Sequence, residues 1–150
     1  MPTTLPRVGL GTAPLGGMFR AVSDADAMAT VHAALAHGWT FVDTAPLYGY
    51  GLSETRVGAA LRARHGAVVS TKVGRLVRPV ASRTDDDIFL GAAPGAVTFD
   101  FTTAGVRRSL AESLERLQRD AVDVALLHDP EDHLDRALTE GVRALLDLRE

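Results

Sequence analysis

Four successive βα units, the first half of a (β/α)8 TIM barrel, are what this 150-residue sequence predicts. Three observations carry that expectation. Short apolar runs alternate four times with amphipathic helical stretches, the pattern of a parallel sheet joined by right-handed crossovers. The glycines after the first run do not suit the competing doubly wound sheet, because Gly9-x-Gly11 is followed by Pro14 where G-x-G-x-x-G needs its third Gly. A complete barrel usually needs about 250 residues, so a chain of this length holds half of one.

The first strand runs from Val8 to Leu10, and Gly11-Thr12-Ala13-Pro14 turns it into a small-residue loop through Gly16-Gly17. Ser23 caps the first helix, with Asp24 and Asp26 at its positive end; Met28, Val31 and Leu35 share a face, and Gly38 suits the position after its last turn. The second strand, Thr40 to Asp43, is stopped by Ala45-Pro46, since Pro brings no N–H to a sheet and disfavours helix in the residue before it. Ser53-Glu54 opens the second helix, whose Val57, Ala60, Leu61 and Arg64 recur at three- and four-residue spacing up to Gly66. Ala67 to Val73 is the third strand. Gly74 to Asp100 follows as a Pro-, Gly- and Asp-rich insertion too long for a plain connector, a length at which loops serve as lids or binding segments. Thr102 or Thr103 caps the third helix, with Val106, Leu110, Leu114 and Leu117 as its core stripe. Glu112 with Arg116 and Glu115 with Arg119 are assigned to its solvated face, where such pairs contribute roughly a few tenths of a kcal/mol. Ala121 to Leu127 is a fourth strand apolar enough to be covered on both sides, and Leu134, Leu138, Val142 and Leu145 form the stripe of the fourth helix. The whole is one domain, 1–150, with an inserted loop at about 74–100.

With 46% hydrophobic and 23% charged residues the composition is that of an ordinary globular domain. Sixteen basic against nineteen acidic residues leave a net charge of −3, and no basic cluster alternates with aromatics, which argues against a nucleic-acid partner. Every long apolar run is broken well short of a membrane span, and Met1 to Pro6 lacks a basic start and an apolar signal core, so the expected location is the cytoplasm. Without Cys, any chemistry must come from oxygen, imidazole or amine groups. Asp85, Asp86 and Asp87 have no His at ligand spacing and are read as a solvated loop; Arg75, Arg78 and Arg83 could approach a phosphate or sugar but are read as solvent-facing loop cations, and no metal site is expected.

Asp43, Lys72 and His128 each end a different predicted strand, and Tyr48 lies in the loop after the second. Singly, each has a structural reading: a turn former, a snorkelling lysine, a hydrogen-bonded core histidine, a half-buried loop aromatic. Together, on adjacent strand ends, they make a proton-transfer group at the rim where barrels bind ligands. A phenol with its ordinary pKa near 10 exchanges protons poorly at neutral pH unless a cation stabilises the phenolate. Lys72 can supply that charge, Asp43 can hold the ammonium, and a neutral His128 can orient the reacting oxygen. No side chain here carries a hydride, so a redox reaction would need a nicotinamide or similar cofactor. A different enzyme class, an aldolase forming a Schiff base on Lys72, is disfavoured because an ammonium held by Asp43 is a poor nucleophile.

The stretches GLGTAPLG, FVDTAPLYGYGLSE, STKVG and LLHDPEDH resemble successive motifs of the aldo-keto reductase superfamily, over essentially the whole chain. Within it, STKVGRLVRP and HDPEDH are most similar to the aldose 1-dehydrogenases of the L-fucose and D-threo-aldose type. The resemblance implies a catalytic tetrad of Asp43, Tyr48, Lys72 and His128, with Tyr48 the general acid for carbonyl reduction and general base for oxidation. It implies NADP or NAD as cofactor, with Gly11, Thr12, Ala13 and Asp43 beside the nicotinamide, and a small sugar or carbonyl substrate. It covers only the first four βα units, whereas the later ones carry most contacts to the cofactor's pyrophosphate and adenosine in such enzymes. The 150-residue chain by itself is therefore expected to be inactive, and to self-associate through its open strand edges or be partly molten. The alternative reading is a catalytically silent half-barrel, an assembly or regulatory module.

Overall fold

The computed structural model describes residues 5–84 and 87–149; the start of the N-terminal segment and Asp85 and Asp86, weighed above as part of a leader and of a metal cluster, lie outside the described residues. In chain order the elements are β1 (Gly9–Gly11), α1 (Asp24–Ala36), β2 (Phe41–Asp43), α2 (Leu52–Leu61), β3 (Val68–Val73), β4 (Arg75–Pro79), β5 (Gly95–Phe99), α3 (Thr103–Leu117), β6 (Val124–Leu127), α4 (Leu134–Arg136) and α5 (Val142–Leu148). β1, β2, β3 and β6 form a parallel sheet in that order, in agreement with the alternating pattern, and β1 and β6 are its edges. Ser23 and Thr102 cap α1 and α3 as read from the sequence, their hydroxyls accepting from the N–H groups of Asp26 and Gly105. Val31, Val42, Val57, Val69 and Leu117 form the main apolar layer between sheet and helices, and Val73, Val106 and Ala144 a smaller one beside it. Among the described residues no helix is long and apolar enough to cross a membrane.

Five features differ from the sequence reading. The insertion is not a plain loop: β4 and β5 pair antiparallel from Arg75–Phe99 to Pro79–Gly95, and the tip folds back on the loop after β1, with Phe19 N–H donating to Ile88 O and Leu90 N–H to Gly17 O. Arg83 is not a solvent-facing loop cation, since its guanidinium donates to Asp87 Oδ2 at 2.8 Å and to the carbonyls of Phe89 and Ala92. The strand read as covered on both sides is shorter, and Leu126 on it is 46% exposed because, in register with Lys72, it lies on the sheet face opposite the helix layer.

Most of the leucine stripe of the last helical region faces outward, Leu138 being 63% exposed, but Leu145 packs against the smaller core, and Ala137, Gly141 and Ala144 are buried. Small residues at four- and three-residue spacing let this segment approach the sheet closely, as with Gly141 against Leu127, and a π-helical turn at Ala137–Gly141 separates α4 from α5. Finally, Arg116 does not pair with Glu112 on the solvated face of α3. Arg108 takes Glu112, and Arg116 turns inward to Glu54 at 2.7 Å.

Candidate active site

Strand alternation and register bring the predicted residues together. Val69, Thr71 and Val73 of β3 point to the helix layer, so Ser70 and Lys72 point to the opposite face. The register sets Asp43 beside Ser70, and His128 follows β6 directly, its N–H donating to Val73 O at 3.0 Å. Tyr48 is held by a turn closed from Tyr48 N–H to Ala45 O, and Gly16 allows the β1 loop to lie flat against it. A Cβ at Gly16 would stand 2.5 Å from the Tyr48 carbonyl carbon.

The four side chains meet at the C-terminal ends of the strands. Lys72 Nζ donates to Asp43 Oδ2 at 2.7 Å, to Thr44 O at 2.9 Å and to Tyr48 Oη at 3.0 Å, which occupies all three ammonium hydrogens. It also lies 4.6 Å from the centroid of the Tyr48 ring. His128 meets that ring edge-on, centroids 6.0 Å apart at 87°. Its Nε2 stands 3.6 Å from Asp129 Oδ2, beyond hydrogen-bond length, and its Nδ1 is buried without a hydrogen-bond partner among the described residues. A phenol seated between an anchored ammonium and an imidazole can exchange a proton with a bound oxygen at low cost in charge separation.

Burial, aided by the Arg75 and Lys72 cations and partly opposed by Asp129 and Asp43, lowers the His128 pKa from 6.5 to about 4. The ring is therefore neutral at physiological pH. The unfolded chain takes up this proton near pH 6.5 and the folded chain only near 4, so stability is complete above about pH 6.5 and falls as pH drops towards 4. The loss should approach roughly 3 kcal/mol. Urea unfolding from neutral pH down to about pH 4 should show it, and His128→Asn should flatten that limb; an equal acid loss in the variant would remove His128 as its source.

Of the residues expected beside a nicotinamide, Gly11 is exposed with nothing within 4 Å of where its Cβ would be, Ala13 is half-buried, and Thr12 is fully buried. Thr12 donates its hydroxyl to Asp43 O at 2.8 Å and accepts from Ser53 Oγ at 2.8 Å, so its side chain is held inside the fold and steadies the end of β2. A flat ring fits against the open, side-chain-free surface at Gly11. Two contributors were not singled out from sequence: Thr44, through its carbonyl, and Ser70, whose hydroxyl donates to Asp43 Oδ1 at 2.9 Å. Only the strand register reveals them. Among the described residues no group of three or more metal-ligating side chains converges.

Fold and site together define a parallel α/β chain with a hydrogen-bonded Asp43–Lys72–Tyr48 cluster and a neutral histidine at its strand ends. The chain belongs to the aldo/keto reductase family, whose model matches residues 7–150. It is 46% identical to a D-threo-aldose 1-dehydrogenase from a Pseudomonas species, over 97% of this chain and 46% of that protein. Among solved structures it is similar to the glycerol dehydrogenase AKR11B4 from Gluconobacter oxydans, with TM-score 0.77 and 34% identity over 99% of this chain and 42% of that one. It is also similar to an aldo-keto reductase from Klebsiella pneumoniae solved in complex with NADPH, with TM-score 0.69 and 29% identity over 96% of this chain and 41% of that one. The chain thus spans about half the length of the relatives it matches.

Proposed function

We propose that the whole protein is a nicotinamide-dependent oxidoreductase that oxidises an aldose at C1 to the lactone, with Asp43, Tyr48, Lys72 and His128 as its proton-transfer group. The observation that carries this reading is the 3.0 Å contact of Lys72 Nζ with Tyr48 Oη, the ammonium itself held by Asp43. A bound NAD or NADP would supply the hydride exchange that no side chain here can. Gly11 and Ala13 would offer it a flat, small-residue face beside Asp43. In the oxidative direction the Tyr48 oxygen takes the C1 hydroxyl proton; in reduction it returns one to the carbonyl oxygen. Lys72 stabilises the phenolate between the two, and neutral His128 directs the substrate oxygen towards it. An aldose as substrate is supported by the likeness to the D-threo-aldose 1-dehydrogenase, and a nicotinamide by the Klebsiella relative.

L-fucose, D-arabinose and L-galactose are the sugars to test with NAD⁺ and NADP⁺, following the growth of reduced-nicotinamide absorbance. At least one sugar should give turnover. Turnover with other carbonyl or alcohol pairs but none of these sugars would keep the relay and reject the sugar assignment. The 150-residue chain by itself should give no turnover and should self-associate, since β1 and β6 are open edges and Leu126, Leu134 and Leu138 are exposed. A sharply folded monomer, by size exclusion and amide exchange, would contradict the second expectation, which also allows a partly molten chain.

A further inference from the structure

We propose that Ser70 is a positioning residue for the proton relay, clamping the Asp43 carboxylate so that Lys72 stays seated against Tyr48. Ser70 is fully buried on β3, on the face it shares with Lys72. A buried hydroxyl is unfavourable unless bonded, and an alanine or valine would serve the strand as well. Its hydroxyl donates to Asp43 Oδ1 at 2.9 Å, while Lys72 holds Oδ2 at 2.7 Å. The carboxylate is thus gripped at both oxygens by residues two apart on one strand.

The grip matters because the terminal torsion of an Asp side chain is broad, and one contact alone does not set the plane of the carboxylate. With Oδ1 released, the plane turns, and the ammonium that shares its hydrogens among Asp43, Thr44 O and Tyr48 Oη loses its fixed seat. The phenolate is then stabilised less, so the base limb of the oxidative pH profile moves to higher pH. The charged and titratable groups facing this cluster are Asp43, Tyr48, Lys72 and His128, with Arg75 and Asp129 beyond the imidazole.

The inference rests on the oxidoreductase reading, and its test separates the two. In the whole protein, Ser70→Ala should lower kcat roughly three- to tenfold, shift the base limb of the pH profile upward, and leave substrate KM unchanged; Ser70→Thr should restore both kcat and the profile. Wild-type kcat and pH profile in Ser70→Ala would overturn it, as would a lower kcat with an unmoved profile. If wild type gives no nicotinamide turnover, the functional reading fails, and a crystal structure of Ser70→Ala still decides this proposal. A rotated Asp43 carboxylate supports the clamp; one left in place overturns it.

Discussion

Tyr48→Phe is expected to lower turnover of the whole protein by about 10²-fold or more while leaving sugar KM and nicotinamide affinity nearly unchanged. The substitution deletes one oxygen and little else. The ring keeps its edge-on packing with His128 and its place 4.6 Å from the Lys72 ammonium, so the loop should not rearrange. What disappears is the acceptor at 3.0 Å from Nζ and, with it, the group proposed to carry the substrate's proton. Binding contacts survive and the transition state loses its proton carrier, which places the effect in kcat. Lys72→Met should fall in the same range, because the phenol remains but its phenolate has no cation. Steady-state kinetics on both variants with thermal melts alongside would check this. Near-wild-type turnover in Tyr48→Phe would sink the assignment of Tyr48.

Asp43, Lys72 and His128 could be found in the sequence because a polar residue ending an apolar run is conspicuous, and parallel α/β topology gathers such ends at one rim. Ser70 could not, since a serine inside VVSTKV looks like strand filler until register sets it beside Asp43. The hairpin Arg75–Phe99 was hidden because its Pro and Gly residues at 79, 91, 94 and 95 read as loop, while its pairing is non-local. Periodicity placed Leu145 against the core but misplaced Leu134, Leu138 and Val142, as leucines outrank alanine and glycine on any hydropathy count. There the buried side is chosen by how closely a segment can approach Leu127 and Phe101, which small residues decide.

Arg116 shows the same ambiguity with a larger consequence for stability. Helical spacing allows Glu112 as its partner, but Gly51, where a Cβ would stand 2.6 Å from Arg116 Cδ, leaves room for the arginine stem to run inward instead. There Nε donates at 2.7 Å to Oε2 of Glu54, a carboxylate with 0% exposure whose other oxygen accepts from Thr71 at 2.6 Å. The pair ties α2, β3 and α3 together behind the Tyr48 loop. Removing one member of a buried pair strands a desolvated charge and costs about 3–5 kcal/mol, whereas a surface pair is worth about 0–1 kcal/mol. Arg116→Met should accordingly destabilise by about 3 kcal/mol, the lower end, because the arginine is itself partly exposed and water can enter where it stood. Glu54→Gln in the same background should recover much of that loss, since the stranded charge is gone and Thr71 can still donate to the amide oxygen. Urea unfolding of the single and double variants measures both steps. A loss in Arg116→Met of only about 1 kcal/mol would return this arginine to the solvated face of α3, and failure of Glu54→Gln to recover stability would show that lost packing rather than stranded charge sets the cost.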